Sequence, residues 1–496
     1  MSRILLSVHH AIWGIPMLVL IIGTGLWISV KTGFAQIVFL PKALAELCKR
    51  FRGRRTSGGV SPFRALCTAL GATVGTGNIV GVAGAICLGG PGAVFWMWIC
   101  GLLAMGTKFA EATLSVRFRD GEQCGPMYMI TRGMSHRWRT LAVVYSWLGL
   151  LASFGVGNAA QVNAVIAGIN GVLSYLGRGE TLRQNLAFGL ILSVAAGCIL
   201  LGGTDRIGAA AEMLVPFASV CYIGLCTAVL ILRREWIPFA FSSVLSGAFC
   251  PEAVTGGVLG SVLVSLRVGC SRGVFTNEAG MGTASMAHGA ADVRHPVEQG
   301  LMGIIEVFLD TMVICTMTAL VILVSGIRTP FGTDAGGRLT ISAFSAVCGN
   351  WVSVVLAGAM CCFAFATILG WGLYGTRCAR FLFGQKAADA FLTAQSMAVV
   401  LGAVLKTETI WLLAELFNGL MSIPNLIALM ALTPELCRLT NEYKYKSGGI
   451  SAEGGYHADF HQCQPLRTLS HEKVPSLRGG GGSAGKKDLS SEYWSA

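Results

Sequence analysis

The run Gly71-Ala72-Thr73-Val74-Gly75-Thr76-Gly77-Asn78 places glycine, hydroxyl and amide residues inside an apolar segment long enough to cross a bilayer. A helix interrupted at that depth frees N–H and C=O groups that hydrocarbon cannot satisfy, so the break must be buried in protein or line a watery site. Its carbonyls suit a dehydrated hard cation, which takes oxygen ligands. Its N–H groups, at the start of the following half-helix, suit a carboxylate. Glycine permits the dihedrals and the close approach, and Asn78 adds a side-chain carbonyl. A glycine-rich packing seam between helices is the alternative.

A second break of the same kind stands at Thr276-Asn277-Glu278-Ala279-Gly280-Met281-Gly282. A carboxylate at membrane depth is a functional-site candidate by default. Glu278 can attract the amino group of a substrate, carry a proton, or pair with Arg272, and its spacing from Arg272 favours the pairing. Paired interrupted segments in corresponding places of two halves are the sequence signature of a transporter's substrate site.

Other polar residues in apolar runs form a third group. Asn158 and Gln161 are three apart and share a helical face, with Asn163 on another; Thr367 and Trp371 lie on a later span. Lys108 and Glu111, also three apart, are expected to form a salt bridge, and Glu212, Glu306 and Asp310 to lie near helix ends in structural roles. Pro424 is expected to kink the last span. No nucleophile–base pair, metalloprotease motif or phosphate-binding loop is found, so an enzyme is not indicated.

These residues require a scaffold of membrane helices. Of 496 residues 53% are hydrophobic and 12% are charged, against roughly 25% charged in a soluble domain, and mean hydropathy is +0.64. The net charge of +12 comes from basic residues gathered in a few loops and the tail, a pattern that reports membrane topology rather than nucleic-acid binding. The 17 cysteines lack metal-ligand or CxxC spacing and read as small membrane-interior residues, not as a disulfide framework.

Eleven apolar stretches have spanning length, about 20 residues: 11–31, 64–88, 92–116, 140–170, 183–203, 209–232, 258–288, 297–325, 350–382, 388–405 and 408–433. The parity of everything downstream rests on the stretch from 258, which holds Arg267 and Arg272, and on the short one ending near 405. The first stretch lacks a small-x-small cleavage site and reads as a retained helix. Lys31, Lys42, Lys49, Arg50, Arg52, Arg54 and Arg55 after the first span, and Arg117, Arg119, Arg132, Arg137 and Arg139 after the third, mark cytoplasmic loops. The N-terminus is then outside and the C-terminus cytoplasmic.

With the first span set aside, each broken segment opens a group of five, and the two cross in opposite directions, the plan of an inverted repeat. The expected organisation is an N-terminal helix and basic loop over 1–62, five-helix repeats over 63–232 and 233–433, and a polar cytoplasmic tail over 434–496 whose composition reads as disordered.

Five runs carry a family resemblance: GATVGTGNIVGVAGAICLGGPGAVFWMW from Gly71, FTNEAGMGTASMAH from Phe275, DTMVICTMTALVIL from Asp310, FAFATILGW from Phe363 and FNGLMSIPNLIAL from Phe417. They resemble the alanine or glycine:cation symporters, also called sodium:alanine symporters, over nearly the whole chain to about residue 433. The resemblance implies an all-α polytopic membrane protein of LeuT-type 5+5 inverted-repeat fold with an extra N-terminal helix. It also implies sodium-coupled uptake of alanine, glycine or a similar small amino acid across the cytoplasmic membrane, with Na⁺ as the coupling ion and no cofactor.

By similarity to the wider superfamily, Thr73, Asn78 and Thr276 border one Na⁺ position. Backbone carbonyls near Gly71 and Val74, with Thr367, make a second. The substrate carboxylate meets the N–H groups of Thr76 and Gly77, while Gln161, Asn277, Gly280 and Trp371 shape the pocket. After Gly370-Trp371 the family has paired tyrosines and a glutamate where this chain has Leu373-Tyr374-Gly375-Thr376, a departure that bears on side-chain selectivity. A proton-coupled carrier relying on Glu278 or Asp310, and a transport-inactive amino-acid sensor signalling through the tail, are the alternative readings.

Overall fold

The computed structural model describes residues 12–52, 59–175, 177–249, 257–332, 336–404 and 407–448. The segment 451–496 and the loop arginines Arg54 and Arg55 lie outside them. Among the described residues the chain is helical throughout, with two isolated bridges and no strand.

In chain order the first part comprises α1 (Ile15–Lys31), α2 (Leu40–Arg52), α3 (Pro62–Thr73), α4 (Val82–Gly89), α5 (Gly92–Arg117), α6 (Pro126–Gly133), α7 (Arg139–Phe154), α8 (Ala160–Tyr175), α9 (Leu182–Leu200) and α10 (Gly203–Leu232). There follow α11 (Ile237–Phe249), α12 (Gly257–Asn277), α13 (Ser285–His288), α14 (Pro296–Val307), α15 (Thr316–Val324), α16 (Gly336–Cys348), α17 (Val352–Phe383), α18 (Gln385–Gly402) and α19 (Thr407–Gly448). By length and apolar composition, seven helical runs among the described residues can cross a bilayer, or eight when α3 and α4 count as one span bent by 53°. Helices fill the other three expected places too, but α1 is short, α12 carries Arg267 and Arg272, and α18 opens with Gln385, Lys386 and Asp389.

Equivalent helices of the two halves pack on one another. The turn after α3 lies against α12, α5 lies along α14, α7 and α8 lie on α17, and α9 lies on α18. That pairing is what two five-helix units related by an axis in the membrane plane produce. Small residues allow the closest of these contacts: a Cβ at Gly303 of α14 would fall 2.7 Å from the Lys108 carbonyl of α5, so the two backbones nearly touch. Burying main chain against main chain in this way brings the side chains at 108 and 306 together.

Among the described residues three π-helical turns interrupt the α-helices: Gly77–Gly81, Gly155–Ala159 and Phe308–Cys315. Each inserts a residue and rotates the helix beyond it, a device concentrated at functional sites. Three elements differ from the sequence expectation. The short helices α11 and α16 stand where connections were expected. The polar tail expected from 434 begins instead as a continuation of α19, which runs through Pro424 and Pro434 to Gly448. Its charges pair along the helix, Arg438 with Glu435 at 2.8 Å and Lys446 with Glu442 at 2.8 Å, the i,i+3 and i,i+4 spacings that support an exposed helix.

Candidate functional site

The first break begins where α3 ends. Val74 turns extended (φ −75°, ψ 102°), and the Gly75 N–H donates to the Asn78 side-chain carbonyl at 3.0 Å, so Asn78 satisfies backbone that the helix has released. The Asn78 amide donates in turn to the Asp310 carboxylate at 2.6 Å. Thr367 of α17 donates to the Gly71 carbonyl at 3.0 Å and to Phe363 at 3.0 Å. A Cβ at Gly75 would fall 3.1 Å from the Thr367 hydroxyl, so glycine lets the broken segment reach α17.

At the second break α12 stops at Asn277, whose Oδ1 accepts the Ala279 N–H at 3.0 Å. Glu278 takes a left-handed conformation (φ +52°) and Gly280 and Gly282 follow at φ +92° and +77°. For glycine this costs little, but a glutamate there is strained and held by its surroundings. Glu111 of α5 caps the turn: its Oε1 accepts the N–H groups of Gly280 at 2.9 Å and Gly282 at 3.1 Å, and the Asn425 amide at 2.7 Å. Tyr145 of α7 donates to the Met281 carbonyl at 3.0 Å.

Charged side chains form the shell between the breaks, and here the sequence expectation is corrected. Lys108 does not pair with Glu111; it reaches across to Glu306 of α14 at 3.0 Å. Glu306 also accepts from Thr73 at 2.8 Å and meets His288 at 2.9 Å, with Gln299 behind the imidazole at 2.6 Å. Glu278 gives its oxygens to Thr283 at 2.7 Å and to the Trp371 indole at 3.2 Å in place of the expected Arg272. Glu306 and Asp310 lie in mid-span beside the third π turn, not at helix ends. Glu212 is likewise well inside α10 and not at its end; it pairs with Arg64 at the start of α3 at 3.1 Å. Spacing along one helix misleads here because i,i+3 neighbours compete with partners on other helices, which a single segment does not reveal.

A cavity opens at the crossing of the breaks, lined by Thr73, Gly75, Thr76 and Gly77 of the first, Phe275 and Glu278 of the second, Gln161, Thr367 and Asn418 among others. Of the expected site residues it thus gathers Thr73, Thr76, Gly77, Gln161 and Thr367. Thr76 donates to Gln161 at 3.4 Å. Asn78 and Thr276 sit buried beside it; Thr276 donates to Gly273 at 2.8 Å. Gly71 and Val74 contribute backbone behind it. Trp371 reaches it only through Glu278, and Asn277 bonds Thr311 at 3.3 Å. Gly280 is turned to Glu111 and Asn425, its N–H and C=O both used.

The π turn at Gly155–Ala159 also breaks the expected face-sharing of Asn158 and Gln161. Asn158 and Asn163 both bond carbonyls of α18, at Gln395 and Gly402, while Gln161 turns to the cavity. Asp310 was expected only in a structural role or as a proton carrier, and Asn418, Asn425 and the Lys108–Glu306 pairing were not singled out by spacing. Their one sequence signal is polarity inside apolar runs.

The profile of the sodium:alanine symporter family matches residues 1–453. This chain belongs to that family. Among its relatives, the sodium/alanine symporter AgcS of Methanococcus maripaludis is 38% identical over 86% of this chain and 94% of its own length. A transporter of Haemophilus influenzae is 40% identical over 89% and 96%, and a probable sodium/glutamine symporter, GlnT of Bacillus subtilis, is 34% identical over 88% and 89%. The solved structure of MhsT in complex with L-phenylalanine superposes with a TM-score of 0.53 at 14% identity, covering 79% of this chain and 99% of MhsT. That likeness establishes the LeuT-type fold. The symporter-family chain is therefore a multi-pass membrane protein of a transport family.

Proposed function

We propose that this protein carries a small neutral amino acid, alanine or glycine, together with Na⁺ by alternating access across the cytoplasmic membrane, with its N-terminus outside and its C-terminus in the cytoplasm. The observation that carries the reading is the cavity where both breaks meet. One wall is a half-helix N-terminus at Thr76 and Gly77, whose first N–H groups have no acceptor within the helix and suit a carboxylate. Ala72, Val156 and Phe275 complete the lining and favour a short side chain.

The charge balance supports a cation. Lys108, with His288 beside Glu306, stands among the buried carboxyl groups of Glu111, Glu278, Glu306 and Asp310, with Arg377 farther along α17. A buried carboxyl group is costly to ionise unless a positive charge meets it, so Asp310, bonded to Asn78 and Thr311, would gain from a cation bound beside it. One Na⁺ position has Asn78 and Thr276 with Asp310 added to them; Thr73, committed to Glu306, borders it from the other side. The second uses the Gly71 and Val74 carbonyls and Thr367, which already meets Gly71. Sodium bound beside the substrate carboxylate links the two ligands by a coupling free energy.

Equilibrium binding of labelled alanine to the purified protein tests this. Binding in sodium that is lost in potassium is expected; equal binding in both would refute sodium coupling.

A further inference from the structure

The polar lining of the cavity is of two kinds: Thr76 and Gly77 offer N–H groups at a helix start, whereas Glu278 and Asn418 present acceptors. Glu278 is 4% exposed, and its carboxylate is fixed by the Trp371 indole and the Thr283 hydroxyl, both neutral donors. The lysine of this shell is held by Glu306. Asn418 of α19, also in the lining, is buried, and its side-chain oxygen has no hydrogen-bond partner. Of the buried side-chain polar atoms without a partner among the described residues, it is the one whose residue lines this cavity, and such an atom marks a place where a ligand or water can complete the bonding. A strained glutamate conformation that its surroundings enforce is a second mark of a functional position.

Resting on the transport reading above, we infer that Glu278 and Asn418 together receive the ammonium group of the substrate, while the Thr76–Gly77 backbone receives its carboxylate. An ammonium brings three donors and a positive charge. It satisfies the Asn418 oxygen and compensates Glu278 in one step, and the α-amino acid engages both kinds of lining. A 2-hydroxy acid of the same size lacks the charge and two of the donors. The site therefore selects zwitterions, and Trp371 acts as a positioning residue that aims Glu278.

The test uses the full-length protein in sodium, with competition against labelled alanine by unlabelled alanine and by L-lactate. Lactate is expected to bind at least 100-fold more weakly than alanine. Glu278→Gln is expected to weaken alanine about 10- to 100-fold and Asn418→Ala about 10-fold, the range for losing a buried hydrogen bond to a charged group. The rise in Tm that sodium alone produces should persist in both variants, which separates a lost ligand contact from a damaged scaffold. Asn418→Ala removes no charge and decides the matter if Glu278→Gln does not fold. Lactate binding as well as alanine, or alanine affinity within twofold of wild type in Asn418→Ala, would overturn the assignment alone. Absence of sodium-dependent alanine binding in the wild-type protein would instead overturn the transport reading, and this assignment with it.

Discussion

Lys108 Nζ lies 3.0 Å from Glu306 Oε1 with both side chains wholly buried, joining the second helix of one repeat to the second helix of the other. Through Glu306 the pair touches the first break at Thr73 and the element after the second break at His288. The two interrupted segments thus share one ionic anchor.

Breaking that anchor from one side leaves an uncompensated charge in a medium that does not tolerate it. Lys108→Met should destabilise the protein by about 3–5 kcal/mol, read as a lower Tm in detergent. Adding Glu306→Gln to it should recover part of the loss, because the orphaned carboxylate is gone. A double variant no more stable than the single one would show that the pair acts through packing instead.

Asn78 links the backbone of the first break to Asp310. Asn78→Ala should weaken alanine binding at limiting sodium about tenfold, the effect of a lost charge-assisted hydrogen bond, with less effect at saturating sodium. A titration of alanine affinity against sodium concentration checks this, and unchanged affinity at low sodium would remove Asn78 from the cation site.

Gly157 holds the second π turn against Trp371: a Cβ there would lie 2.2 Å from the Trp371 Cβ. Gly157→Ala should cost about 1–3 kcal/mol from overpacking and should weaken alanine binding by tilting the indole away from Glu278. Thermal unfolding and alanine binding, measured on the same preparation, should fall together. A stable variant with normal affinity would mean that the indole does not set the position of Glu278.

Much of this architecture is legible from the residues. Glycines flanking polar residues inside apolar runs marked both breaks, because such backbone has to be satisfied by something other than lipid. The excess of apolar over charged residues marked the membrane helices. What the chain withheld were partnerships between helices. Lys108 sits three residues from Glu111, the spacing of a local pair, yet Gly303 draws α14 close enough for Glu306 to take the lysine, freeing Glu111 to cap Gly280 and Gly282. The π turns were equally hidden, since in nearly uniformly apolar runs the rotation caused by one inserted residue has little polar pattern to displace, and they decide that Gln161 rather than Asn158 faces the cavity. Asn418 has no sequence signal beyond being polar in an apolar run; the structure puts it in the cavity lining with its oxygen unpartnered.

The central claim is tested most directly by uptake of labelled alanine into proteoliposomes holding the purified protein, with an inward sodium gradient and with potassium in its place. Uptake with sodium and none with potassium is the predicted result. Equal uptake in both, or uptake that follows a pH gradient and ignores sodium, would contradict sodium-coupled symport.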